Sequence, residues 1–353
     1  MADSSRPADL GYRWPAEWEP HDATWLAWPH NRETWPGIFE EIPPIFAQLV
    51  RLIAEFEPVN VLAGGDDVMT SADHHIGNLD NVTLHDIKTN DAWARDYGPT
   101  FLQAPAGKRP ALIDWQYNAW GGKYPPWDAD NAVPRQIAQQ LEYQRFTTGL
   151  TLEGGSIDGN GTGTILTTHS CLLDPNRNPT MKRQHVEQYL KAYCCAKKVL
   201  WLQGGAIVGD DTDGHIDQLA RFAGPTTIVA AIEENTDCAN YNPLQHNLQQ
   251  LKAMTDQTGR AFEVIRLPMP KPVLTDGIRL PASYCNFYIV NGAVIIPQFS
   301  DPNDERAVGV LSELFPDRNI IGLEATELVA GLGAFHCLTQ QQPSECVLLN
   351  TVA

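Results

Sequence analysis

Two stretches, Leu152-Glu-Gly-Gly-Ser-Ile-Asp-Gly159 and Leu202-Gln-Gly-Gly-Ala-Ile-Val-Gly209, decide the fold. They stand 50 residues apart and share Leu, both inner glycines, Ile and the final Gly, and Thr162 answers to Thr212. A fainter echo is Leu62-Ala-Gly-Gly65. Self-similarity at a fixed period marks a repeated supersecondary unit. Outward from the echoes, apolar residues recur with helical spacing over 38–56, 131–143, 181–195, 242–257 and 303–315. In the first of these, Ile45, Leu49, Leu52, Ile53 and Phe56 make one predicted apolar face, and Pro43 and Pro44 suit its first turn.

Each helical segment is followed by a β-like run, at 59–63, 146–152, 198–202, 262–267 and 319–323. Strand–turn–strand signals precede several helices. The clearest is Phe287-Tyr-Ile-Val-Asn-Gly-Ala-Val-Ile-Ile-Pro297, turning on Asn291-Gly292; others turn on Gly224-Pro225 and near Gly107. The unit is therefore strand, turn, strand, helix, strand. Five such units with no Gly-, Ser- or charge-rich linker predict one α/β domain over 1–353, closed around a central axis.

The chain has 353 residues, 25 Lys and Arg against 43 Asp and Glu, and a net charge of −18. At 43% apolar and 19% charged residues it is globular and large enough to bury a core unaided. The acidic balance excludes nucleic acid and an anionic membrane surface as partners, since both need clustered basic residues. It suits a small cation. The first ten residues have no apolar run, so no signal peptide is expected, and no stretch approaches the roughly 18 apolar residues of a membrane span. Seven irregularly spaced Cys, without a CxxC pair, predict reduced thiols and a cytoplasmic location. Composition leaves a homo-oligomer open.

Polar residues fall at the ends of the repeats. Asp91, Arg95 and Asp96 stand beside Trp93 just before a strand pair; Glu153 follows a strand and precedes two glycines. Residues 210–217 hold four Asp and His215, and His336-Cys337 follows the last apolar segment. A closed ring would bring these to one mouth. Each also has a plain structural reading. A lone Cys is usually an inert core residue. His215 suits a solvent-facing turn as well as a base, although on a strand it would share a face with Asp217, two residues on. Asp96 beside Arg95 suits a surface ion pair. Three patterns are set aside. Gly159-Asn-Gly-Thr-Gly163 lacks the glycine spacing and following helix of a dinucleotide loop; the calcium-like Asp158, Asn160, Thr162 has His169 at its twelfth position; and 210–217 lacks a second His at metal-ligand spacing.

These residues carry a resemblance to the agmatine deiminase and bacterial-type (Porphyromonas-type) peptidylarginine deiminase family. It runs nearly end to end, through Trp14-Pro-Ala-Glu-Trp-Glu-Pro-His-Asp-Ala-Thr-Trp-Leu-Ala-Trp-Pro29, 93–99, Glu153-Gly-Gly155, Gly214-His-Ile-Asp217, Ala282-Ser-Tyr-Cys-Asn-Phe-Tyr288, and His336-Cys337 with Thr339-Gln-Gln-Gln-Pro343. The resemblance implies a five-bladed α/β propeller of ββαβ units with pseudo-fivefold symmetry (a pentein), and hydrolytic deimination of a guanidino substrate without cofactor or metal. It implies Cys337 as nucleophile, His215 as general acid and base, Glu153 orienting it, Asp96 and Asp217 clamping the guanidinium, and Trp93 packing against the alkyl stem.

The implied chemistry needs these residue types. A guanidinium carbon is a poor electrophile, so a thiolate attacks it best at neutral pH. Two carboxylates hold the planar fork and offset its desolvation. They should also raise the Cys337 pKa until a cation arrives. Agmatine is the expected substrate, giving N-carbamoylputrescine and ammonia. Free or peptidyl arginine is the alternative, ahead of amidino transfer or guanidine binding without turnover. Gly331-Leu-Gly-Ala-Phe335, Asp213 and Gln218-Leu-Ala-Arg-Phe222 depart from the agmatine-type pattern. Among them Arg221 suits either a substrate carboxylate or a structural ion pair.

Overall fold

The computed structural model describes residues 5–203 and 205–345; Gly204 of the second repeat copy lies outside them. Five sheets share one topology, an antiparallel pair followed by a parallel strand. Four are Thr100–Leu102 with Ala111–Gln116 and Gln144–Thr151; Ile157–Gly159 with Thr164–Thr168 and Lys198–Leu202; Ala220–Gly224 with Thr227–Ile232 and Glu263–Pro268; and Tyr288–Val290 with Ala293–Gln298 and Asn319–Glu324. The fifth joins the two ends of the chain. Thr339–Pro343 pairs antiparallel with His21–Ala27, which pairs parallel with Val59–Leu62.

In each of the five units one long amphipathic helix lies between the antiparallel pair and its parallel strand: Ile42–Ala54, Asp128–Leu141, Arg183–Tyr193, Tyr241–Ala253 or Asn303–Leu314. All five expected helices exist with shifted bounds: each ends earlier than expected, while the second starts three residues sooner at Asp128 and the fourth one sooner at Tyr241. The buried face of the first differs from the expected one. Ile42, Phe46, Leu49, Val50 and Ile53 are buried, while Ile45, Leu52 and Phe56 are half-buried. Both sets have helical spacing and share Leu49 and Ile53, so periodicity alone did not fix the rotation. Apolar burial at about 25 cal/mol per Å² makes such a face the main hold of helix on sheet.

The first sheet has extra parts that the sequence reading did not include. Helix Asp66–Ile76 leads to a fourth strand, Val82–His85, parallel to Val59–Leu62. This helix carries a short apolar stripe, Val68, Met69, Ala72 and Ile76, of which Ala72 and Ile76 are buried, and the sequence reading passed over it. The expected hairpin on Asn291-Gly292 is present, with Val290 opposite Ala293 and Gly292 at φ +79°.

The sequence echoes mark one structural place, the exit of the third strand. Leu62 and Leu202 end such strands, and Leu152 follows Thr151 at the end of another. Beyond that the units diverge. The Gly154–Ser156 turn follows its strand at once, whereas residues 203–215 intervene before the turn at Ile216–Gln218. A short helical turn precedes the opening strand of each of these five sheets: Ala94–Tyr97, Gly154–Ser156, Ile216–Gln218, Tyr284–Asn286 and Phe335–Leu338. Each turn touches the next in that order, and the last touches the first.

Candidate active site

That cycle of turns collects the polar residues picked from the sequence. Trp93 and Asp96 come from the first turn, Glu153 from the second, His215 and Asp217 from the third, and Cys337 from the fifth. All six are at least nine-tenths buried. The surface ion-pair reading of Asp96 therefore fails, as does the solvent-facing reading of His215. His215 and Asp217 do not lie on a strand; they flank Ile216 in a 3-10 turn.

Cys337 Sγ lies 3.1 Å from Asn286 Nδ2 and 3.5 Å from Asp217 Oδ2. Burial, then Asp217 and Asp96, push the thiol well above its ordinary value. Asp96 is fixed by donors on both oxygens, Gly155 N at 3.0 Å and Trp120 Nε1 at 2.9 Å. Burial still raises its pKa to about 6, against the pull of His215. Asp217 is held below the ordinary carboxyl range, because the His336 hydrogen bond and charge overcome its burial. His336 Nδ1 sits 2.8 Å from Asp217 Oδ2, and its Nε2 sits 2.9 Å from Glu17 Oε2.

His215 stands between carboxylates without bonding closely to either. Nδ1 is 3.6 Å from Asp96 Oδ1 and Nε2 is 3.7 Å from Glu153 Oε2, both too long for good hydrogen bonds. Burial alone would lower the His215 pKa, but Asp96, Cys171 and Glu153 raise it well above the ordinary value. Glu153 is drawn down to about 2, since Arg177 outweighs its burial. Both His215 nitrogens and Asp217 Oδ1 are buried without a hydrogen-bond partner.

Glycine is needed beside them. A Cβ on Gly155 would stand 2.7 Å from both Asp96 Oδ1 and His215 Nδ1, so any side chain there would fill the site. Glu153, Cys171 and His215 offer donor atoms within 4.8 Å of one another, a set that could hold a metal ion. Arg177 Nε already lies 2.9 Å from both Glu153 oxygens, and its charge opposes a divalent cation there.

A cavity of about 670 Å³ opens onto Cys337, Asp96 and Trp93, with Trp120, Tyr117 and Tyr124 on its walls. Its acidic lining comprises Glu33, Asp91, Asp96, Asp130 and Asp211. Lys123 also lines it, but its ammonium is bound to the Asp211 carbonyl and to Asp213 Oδ2 at 2.8 Å. Arg221 does not reach the cavity. It is fully buried, paired with Glu17 at 2.7 Å and Asp158 at 3.1 Å, and its guanidinium lies over Phe287. The structural reading of Arg221 is the correct one.

The sequence reading missed Asn286. Its Nδ2 meets the thiol, and its Oδ1 accepts from Ala334 N at 3.2 Å and Cys337 N at 3.3 Å. A usable signal was its place in the repeat, just before an opening strand, where Asp96, Asp217 and Cys337 also stand.

The sequence profile of the Porphyromonas-type peptidyl-arginine deiminase family matches residues 13–343. An agmatine deiminase of Pseudomonas aeruginosa (strain LESB58) is 37% identical over 97% of this chain and 98% of its own length. A solved agmatine deiminase of Enterococcus faecalis superposes with a TM-score of 0.92, at 33% identity, over 98% of this chain and 100% of that one. An amidinotransferase of Microseira wollei shares the fold at 12% identity, with a TM-score of 0.52 over 95% and 97% of the two chains.

Proposed function

The chain belongs to the Porphyromonas-type peptidyl-arginine deiminase family, and from that premise we propose that it hydrolyses agmatine through a covalent intermediate on Cys337. It is a hydrolase of amidine C–N bonds, and its products are N-carbamoylputrescine and ammonia. The observation that carries the site assignment is the set of buried unpartnered atoms, Asp217 Oδ1 and both His215 nitrogens. Buried polar groups without partners are rare and costly, and these three suit a guanidinium and its proton traffic.

Asp96 and Asp217 clamp the guanidinium, and Trp93 flanks the alkyl chain. The arriving cation offsets the two carboxylates that raise the Cys337 pKa, so the thiol loses its proton to solvent as substrate binds. The thiolate, with Asn286 Nδ2 as donor, attacks the guanidinium carbon and forms a C–S bond. His215 gives its proton to the departing nitrogen, and ammonia leaves. His215 then takes a proton from water, which attacks the amidino-thioether. The C–S bond breaks, the thiolate is regenerated, and the remaining hydroxyl proton passes to solvent as the ureido product is released. Acid–base help of this kind is typically worth about 10² to 10⁴ in rate. Glu153, ionised across the working range, keeps the protonated imidazole in place.

The cavity supports agmatine over arginine. Besides the clamping Asp96, Glu33, Asp91 and Asp211 line it, and its Lys123 is already bound, so a second ammonium is favoured there and an α-carboxylate is not. Turnover of agmatine, free arginine and an N-acylated arginine peptide, followed as ureido product and ammonia, tests this. Agmatine should lead by about fivefold in kcat/KM, roughly one charge pair's worth. Equal or faster turnover of arginine overturns the substrate assignment.

The same reading takes residues 1–353 as one domain, its five units closing as a five-bladed propeller about a pseudo-fivefold axis. The cyclic contact of the five turns and the sheet shared by both chain ends support that closure. It also takes the enzyme as cofactor-free, metal-free and cytoplasmic, acting on a small cationic guanidine. No helix among the described residues is long and apolar enough to cross a membrane, and six cysteines there are free thiols.

A further inference from the structure

Arg177 has no part in the clamp or the bond-making steps, yet all three of its nitrogens are bonded beside them. Its side chain is fully buried. Nε lies 2.9 Å from both oxygens of Glu153, Nη1 lies 2.7 Å from Asp213 Oδ2, and Nη2 lies 2.9 Å from the Thr212 carbonyl. One planar fork thus joins two separate supports of His215. The first is the carboxylate facing His215 Nε2. The second is the backbone just before it, where Thr212 Oγ1 accepts from His215 N at 3.1 Å. His215 itself forms no close side-chain bond, so its place is set by what surrounds it.

We propose that Arg177 is a positioning residue for the acid–base half of the site, fixing Glu153 and the Thr212–Asp213 backbone together and thereby setting where His215 stands. This rests on the deiminase reading above. A guanidinium suits the task where an ammonium does not, because the fork fixes direction as well as charge. The clamp is independent of it. Asp96 is held by Gly155 and Trp120, and Asp217 by His336. Loss of Arg177 should therefore act on kcat and spare KM.

It should also create a pH dependence. Glu153 is faced by Arg177, His215 and Cys171; Arg177 is faced by Glu153, Asp213 and, at 3.9 Å, Asp174. With Arg177 gone, burial of Glu153 is opposed mainly by His215, and its pKa climbs. Glu153 protonates as pH falls through that raised value, so an acid limb enters the kcat profile.

The test compares wild type with Arg177→Met and Arg177→Lys on agmatine, from pH 5 to 9. Arg177→Met should lose at least about 100-fold in kcat, with KM within about threefold and a new acid limb. Arg177→Lys should remove that limb and regain at least about tenfold, since it restores charge without the fork. Retention of kcat within about threefold, or kcat and KM changing together with no limb, overturns the proposal. Should Arg177→Met fail to fold, Asp213→Asn is the second variant, its side chain being a third exposed. It should lower kcat, and an unchanged kcat counts against the proposal; KM is no readout for this variant, because Asp213 also binds Lys123 on the cavity wall. Wild type without ureido product would instead overturn the deiminase reading itself.

Discussion

Replacing Asp217 with Asn should have two effects of opposite sign on the same site. Asp217 is fully buried, its Oδ2 shared by His336 Nδ1 and Cys337 Sγ, its Oδ1 without a partner. Asparagine keeps the shape and removes the charge. A guanidinium bound there loses a charge-assisted acceptor and stays undercompensated in a buried site. Breaking such a pair costs about 3–5 kcal/mol, so kcat/KM should fall by roughly 10² to 10³ or more. The empty site should change the other way. Asp217 is the largest cause, after burial, that raises the Cys337 thiol, so its loss lowers that pKa. Each unit lowered gives about tenfold more thiolate and a thiolate about threefold less nucleophilic, a net gain of about threefold. The assay is iodoacetamide alkylation at pH 7, with the Cys337 peptide quantified by mass spectrometry because Cys195 and Cys238 are also partly exposed. Agmatine turnover is measured alongside. Alkylation that slows while turnover falls would refute the electrostatic reasoning and point to a collapsed site.

Three further outcomes follow from the same geometry. Asp96 carries a pKa of about 6, and the clamp needs its carboxylate, so kcat/KM should fall as pH drops through about 6, and Asp96→Asn should lose that limb together with at least about 3 kcal/mol of transition-state stabilisation. Gly155→Ala should still fold, with a lowered melting temperature, and lose at least about tenfold in kcat/KM, since its Cβ would crowd Asp96 and His215; full activity there would contradict the crowding. Asn286→Ala should slow Cys337 alkylation as well as turnover, because the amide's donation to sulfur lowers the thiol pKa; faster alkylation would contradict it.

The five helices and their closing strands were legible because each buries one face, and a buried face writes its period into the chain. The helix Asp66–Ile76 was passed over although Val68, Met69, Ala72 and Ile76 share a helical spacing, because that stripe is short and set among Asp, Thr, Ser and His. The echoes at Leu62, Leu152 and Leu202 located strand exits. They did not reveal that residues 203–215 carry the third turn further along the chain, because loop length leaves the flanking glycines unchanged. Cys337, His215, Asp96, Asp217 and Glu153 were legible as titratable groups at repeat ends, and the family resemblance gave them roles. Asn286 has no charge and escaped notice, although it occupies the same place in its unit. Arg221 stayed ambiguous because an arginine in a strand reads alike whichever way it points; Glu17, more than 200 residues away, decides the matter. Arg177 was invisible for the same reason, since its partners Glu153, Thr212 and Asp213 meet it only in the fold.

The central claim is that catalysis runs through the sulfur of Cys337. The most direct measurement is agmatine turnover by Cys337→Ala, purified and folded, against wild type under saturating substrate. The account predicts no ureido product above the uncatalysed rate, while the intact clamp of Asp96 and Asp217 still binds agmatine. Product formation at a rate within about tenfold of wild type would contradict it, because no buried thiol in another turn could replace a nucleophile so placed.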